Sequence, residues 1–139
     1  MNLQLMPQGD VFKYKSVLRQ NLPAPANFTA ASNTQSFTLF GLPAGFVLVG
    51  VRLLLVSKFV AFGMSSLQCI LGASGATNYL MPAFECTQVP SDTTFKYWSA
   101  FGEYTSAAYD VIATFTSVGA QLNTMTAGEL AFTFLYRSL

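Results

Sequence analysis

An all-β sandwich is the fold this sequence predicts. Three observations carry the prediction. Apolar residues recur with period two, not 3.6, wherever the pattern is clear. β-Branched and aromatic residues dominate those segments, as a pleated surface favours. Gly- and Pro-rich turn signals separate one short run from the next.

The elements follow in chain order. Met1–Asp10 shows little periodicity and reads as an extended N-terminal arm, with residues 11–139 forming a single β-sandwich domain. Leu3, Leu5 and Met6 give that arm apolar contacts to lay across a neighbouring subunit. From Val11 to Leu18, Phe12, Tyr14 and Leu18 share one face and Lys13 and Lys15 the other. The stretch NLPAPANFTAASN (21–33) carries two prolines and small polar residues, so it is expected to be an extended linker. Gln35–Phe40 alternates Ser36 and Thr38 with Phe37 and Leu39. Gly41–Gly45 is a tight connection into Phe46–Ser57, where Val47, Val49, Val51, Leu53 and Leu55 are expected on one face. The opposite face holds Arg52 beside Leu48 and Leu54, so both faces are rather apolar. That suits a central strand, or one covered by a partner.

Ser66–Leu71 is a shorter strand, and Gly72–Asn78 and Val89–Asp92 are expected turns. Tyr109–Thr116 and Leu130–Arg137 alternate most clearly of all, with Gly119–Gly128 expected as the loop between them. No segment carries a long amphipathic helix; Ser99–Ala107 has room for one turn. Seven or eight short strands point to a sandwich or barrel, and the jelly roll is the first choice among them.

At 139 residues the chain is one domain, large enough to bury a core without staples. Its surface is the anomaly. Only 9% of residues are charged, against roughly 25% in average soluble chains. Seven basic and six acidic residues must serve a surface of roughly 7,000 Å², or about one charge per 500 Å². Free domains spread more charge than this over their outside, and large exposed apolar patches mark interaction surfaces. Much of this surface is therefore expected to be covered in use, by copies of the chain or by a larger assembly.

Net charge is +1, which gives no electrostatic case for nucleic acid. Lys13, Lys15 and Arg19 cluster near the start, as expected of residues that protect a strand edge. The N-terminal residues lack the basic region and apolar core of a secretory signal. The most apolar run, Phe46–Phe62, is interrupted by Arg52 and Lys58, so no membrane span is expected.

The residues speak against an enzyme. There is no histidine, which removes the usual general base, the commonest metal ligand and every Ser-His or Cys-His arrangement. Glu85 with Asp92, or Glu103 with Asp110, are the carboxylate pairs a glycosidase reading would need, and nothing in their flanks singles them out. No Asp-rich calcium loop is present, and Gly72-Ala73-Ser74-Gly75 lacks the lysine of a phosphate-binding loop. No metal or cofactor is expected. Cys69 and Cys86 form no CxxC pair; they read as buried free thiols, with a disulfide between them as the alternative.

One cluster remains. Phe95, Tyr97, Trp98, Phe101 and Tyr104 are the densest aromatic group in the chain. Such residues fill cores, centre protein interfaces or stack on sugars, and here they are the candidate interface.

The C-terminal residues VIATFTSVGAQLNTMTAGELAFTFLYRSL carry a resemblance. A strand ending Phe-Thr-Ser, then Gly119, Leu122 and Asn123, then Thr126-Ala127-Gly128 and a last strand reaching Leu-Tyr, is similar to the ends of small β-rich virion proteins of tailed bacteriophages. Leu42–Phe46 adds to the match. The resemblance implies a virion structural protein, often trimeric, of the capsid decoration (cement) type. Such a protein would bridge subunits of the major capsid protein on the head surface. A tail or adaptor subunit and a receptor- or carbohydrate-binding module are the alternatives.

Overall fold

The computed structural model describes residues 12–16, 27–73, 76–91, 95–99 and 108–138. Eight strands make up the fold: β1 (Phe12–Ser16), β2 (Thr34–Leu42), β3 (Phe46–Ala61), β4 (Ser66–Ala73), β5 (Ala76–Glu85), β6 (Phe95–Ser99), β7 (Tyr109–Val118) and β8 (Met125–Ser138). They form two four-stranded sheets, ordered β1-β8-β3-β6 and β2-β7-β4-β5. Every pairing is antiparallel. Among these strands only β4 and β5 are both consecutive and adjacent; the chain otherwise crosses from sheet to sheet. The expected all-β sandwich is what forms.

Period-two alternation builds the core. Leu67, Cys69 and Leu71 of β4 and Val111, Ala113 and Phe115 of β7 are buried and point at Leu130, Phe132 and Phe134 of β8 and at Val51, Leu53 and Leu55 of β3. The residues between them are exposed or half-buried. The alternation was expected in β3, β7 and β8, but β3 breaks it in a way periodicity alone could not locate. Leu48 pairs with Tyr136 and Gly50 with Leu135, so Val49 is an extra residue. This bulge changes the parity: Leu48 before it and Val51 after it both join the core, and Val49 is only half-buried. The expected single face from Val47 to Leu55 is corrected accordingly. In β2 the register jumps between Thr38 and Phe40, and Leu39 and Phe40 are consecutively buried.

Other boundaries also differ from expectation. Gly72–Asn78 is not one turn, because β5 has begun by Ala76. Its Asn78 and Pro82 disguise a strand in the sequence, yet an edge position tolerates proline, since one side of the strand has no ladder to complete. The aromatic segment from Phe95 is itself a strand, β6, paired with β3. The expected loop from Gly119 to Gly128 is shorter: a 3-10 turn spans Leu122–Thr124 and β8 starts at Met125.

One end of the sandwich is closed by phenylalanines. Phe28, which lies in the stretch expected to be linker, meets Phe37, Phe59 and Phe115 edge-on at centroid distances of 5.2, 5.9 and 5.2 Å. Its segment is tied down by polar contacts. Gln35 Oε1 accepts from the amides of Thr29 and Ala30, and its Nε2 donates to the Asn27 carbonyl, all at 3.0 Å. The β7–β8 connection completes this end, with the amides of Leu122 and Asn123 donating to the carbonyls of Ser32 and Ala30. Leu122 is fully buried beneath.

Gly128 has φ of 132°, and a Cβ there would overlap the ring of Phe59. The position therefore needs glycine twice over, for its backbone and for its space. Gly128→Ala is expected to lower stability by about 2 kcal/mol or more, since it combines overpacking with backbone strain. Urea unfolding of the variant measures this, and an unchanged midpoint would contradict the packing described.

Candidate assembly surface

Among the described residues, most of the exposed large hydrophobic side chains belong to β3 and the turn that follows it. With Val51, Leu53 and Leu55 turned inward, alternation turns Leu54 and Val56 outward, at 43% and 42% exposure. Val60 follows at 42%, and Phe62, in the turn between β3 and β4, is 98% exposed. Val118 at the end of β7 lies at the same end of the molecule, its carbonyl accepting from the Ser65 amide at 2.9 Å. The strand has few charges to intersperse: Arg52 and Lys58 are its exposed cations. A half-open groove of about 230 Å³ runs beside Phe62, lined by Lys58–Ala61, Met64, Ser65 and Thr87.

β6 continues this sheet to its edge. Phe95 pairs with Leu54, Tyr97 with Arg52 and Trp98 with Val51. Three of the aromatic candidates thus sit in a strand next to the apolar run of β3. Phe101 and Tyr104, and Leu3, Leu5 and Met6 of the arm, lie outside the described residues. Sequence reasoning singled out β6 but not Phe62, Val60 or Val118. The signal for β3 was present, in two apolar faces on one strand; only the packing decided which face stayed uncovered.

The carboxylates are arranged for structure. Glu85, at the end of β5, accepts from Ser66 Oγ at 2.6 Å, the Leu67 amide at 2.8 Å, and Thr87 through its hydroxyl at 2.7 Å and amide at 3.3 Å. It pins the start of β4 to the residues leaving β5. Cys86 beside it extends the tie, its amide donating to the Leu67 carbonyl and its carbonyl accepting from the Phe59 amide. The proposed partners of the acids, Asp92 and Glu103, lie outside the described residues. Among the described residues no group of three His, Cys, Asp or Glu side chains is placed to hold a metal ion.

Cys69 and Cys86 are both buried and both free. Loss of solvation pushes both thiols up, and a neighbouring charge adds to it: that of Cys86 for Cys69, that of Glu85 for Cys86. Both therefore stay protonated and act as small apolar side chains. The disulfide alternative is not formed.

No protein-family model matches the sequence, and no curated protein matches it. Solved structures do match the fold. A chain of the cyanophage Pam1 capsid asymmetric unit superposes over 96% of this chain and 89% of its own length, with a TM-score of 0.53 at 14% sequence identity. A chain of the acidic stable capsid structure of Helicobacter pylori bacteriophage KHP30 covers 91% of this chain and 93% of its own, with a TM-score of 0.47 at 15% identity. At 14% identity the likeness to the Pam1 chain is one of fold.

Glu85 makes the stability of the fold pH-dependent. Partial burial raises its pKa, but the hydrogen bonds from Ser66, Leu67 and Thr87 outweigh that and hold it below the ordinary value of 4.5. A carboxyl depressed in the folded state stabilises fully above its unfolded pKa, and that contribution is lost as pH falls through the folded one. Thermal melts of the wild type are thus expected to drop as pH is lowered from about 4.5. Glu85→Gln should melt lower at neutral pH and lose less between pH 5 and pH 3, and parallel pH profiles for the two proteins would refute this role.

Proposed function

We propose that this chain is a structural protein of a bacteriophage virion, and that it decorates the capsid as a cement protein bridging major capsid subunits. The observation that carries the reading is the match to a Pam1 capsid chain along nearly the full length of both chains. The strand orders β1-β8-β3-β6 and β2-β7-β4-β5 support it, because they suit an eight-strand jelly roll built from two Greek keys. The surface supports it independently. Proteins in permanent contact with neighbours bury large apolar interfaces. This chain has few charges and leaves Leu54, Val56 and Val60 outward on one strand, with Phe62 exposed in the turn that follows it.

In this reading the sheet edge at β6 and the outer side of β3 face a neighbouring virion protein or another copy of the chain. The arm Met1–Asp10 clamps across the same boundary, and the assembled unit is a homotrimer, as the resemblance of the C-terminal residues implies. The role needs no catalysis and no cofactor.

The test is genetic removal from the phage that encodes the chain. Heads lacking it are expected to assemble but to release DNA at a lower temperature than complete heads, and purified protein added back should restore them. Heads of unchanged thermal stability, or protein found only on the tail, would overturn the cement role.

Tyr97 tests the β6 surface, because its register partner in β3 is the exposed Arg52, whereas Trp98 is opposite the inward Val51. Interface tyrosines can cost about 2 kcal/mol or more on truncation. Tyr97→Ala is expected to weaken binding to heads at least tenfold while shifting the urea midpoint of the free protein much less. Equal losses in both measurements would assign Tyr97 to the core.

A further inference from the structure

The two sheets have four edge strands, β1, β6, β2 and β5. An edge strand presents unpaired backbone groups and invites another strand unless something blocks it. Three of the four carry a recognised block. β1 has Lys13 and Lys15, β6 has Lys96, and β5 has Pro82, exposed in mid-strand where its register is already irregular. Lysine resists desolvation and proline lacks the donor a ladder needs.

β2 has neither. Thr34–Leu42 contains no charge and no proline, and no charged residue occurs anywhere between Arg19 and Arg52. Among the described residues it pairs only with β7 and no strand lies along its other side, where the Ser32 hydroxyl donates to the Thr34 carbonyl at 3.0 Å. Its first five residues, Thr34–Thr38, run in unbroken register, and the bulge after Thr38 ends that stretch. Thr34, Ser36 and Thr38 are exposed on the outer face, while the inward Gln35 and Phe37 are only half-buried, as they would be if one flank lacked its cover.

We propose that β2 pairs antiparallel with β2 of a second copy, joining two β2-β7-β4-β5 sheets into one continuous sheet. The regular stretch is centred on Ser36, so a twofold axis there sets Ser36 opposite Ser36 and Thr34 of one copy opposite Thr38 of the other. The contact is self-complementary, as a twofold interface must be. Hydroxyl side chains meet hydroxyl side chains across the strands, a favourable cross-strand pairing. An uncharged edge also has no means of rejecting its own copy, whereas a charged partner strand would find no complement here. This inference does not rest on the virion reading. It requires an even-numbered oligomer: a dimer or, with the homotrimer of the proposed function as the unit, a hexamer in which three such pairs join two trimers.

The test is the mass of the purified full chain by light scattering coupled to size exclusion at micromolar concentration, with two charge-pattern variants. T34E/T38E sets like charges opposite each other twice, and should weaken the pairing at least tenfold and halve the mass of a dimer. T34K/T38E sets unlike charges opposite in the antiparallel register and should restore the wild-type mass. Hydrogen exchange on the wild type gives a readout independent of the variants' folding: the amides of Ser36 and Thr38, which the register with β7 directs to the free edge, should gain protection as concentration rises. A wild-type monomer or trimer overturns the pairing, as does an unchanged mass for T34E/T38E or exchange independent of concentration. A trimer would leave the proposed function standing, and a dimer that fails to stabilise heads would do the reverse.

Discussion

The packing of four phenylalanines at one end of the sandwich is the contact on which the rest of the structure depends. Phe28, Phe37, Phe59 and Phe115 come from a connecting segment, from β2, from β3 and from β7. They therefore join both sheets and the chain that leads into them. Edge-on geometry lets each ring present its positive rim to a negative face, which adds directionality to plain burial. Phe59 fits here because Gly128 leaves room for its ring. Residues far apart in sequence are thus committed together.

The polar contacts serve the same end of the molecule. Gln35, Asn33 and Ser117 satisfy partly buried carbonyls and amides of the connecting segments and of the end of β7. Glu85 does this for the β4–β5 hairpin with its full acceptor capacity. A chain with six acids therefore spends one of them on holding strands together. The surface is left poorer in charge than the composition already made it.

That shortage of charge links the fold to its use. Inside the sandwich an apolar face is covered by the opposite sheet. Outside, Leu54, Val56 and Phe62 have no such cover among the described residues. Three edges of the sheets carry lysine or proline and the fourth does not. A domain that worked alone would pay for such surfaces in solubility. The pattern suits a protein whose neighbours are always present, with different parts of its outside reserved for different neighbours.

The sequence by itself determined the class of the fold and the composition of its surface. Alternation in β7 and β8 is a local property: each residue's side is set by its parity, so Val111, Ala113 and Phe115 separated from Ile112 and Thr114, and Phe132 and Phe134 from Thr133 and Leu135, in the sequence alone. The absence of histidine and the scarcity of charge needed no structure either. Tertiary packing decided what parity could not. The bulge at Val49 reversed the inward face of β3, because a single extra residue flips every side chain beyond it. β5 was hidden by Pro82, whose tolerance depends on lying at a sheet edge, and no residue announces that it will be at an edge. Phe28 read as linker and became core, because burial is settled by what arrives from elsewhere in the chain. Which apolar residues stayed outside was likewise decided by strand order, a relation among distant segments that no local pattern encodes.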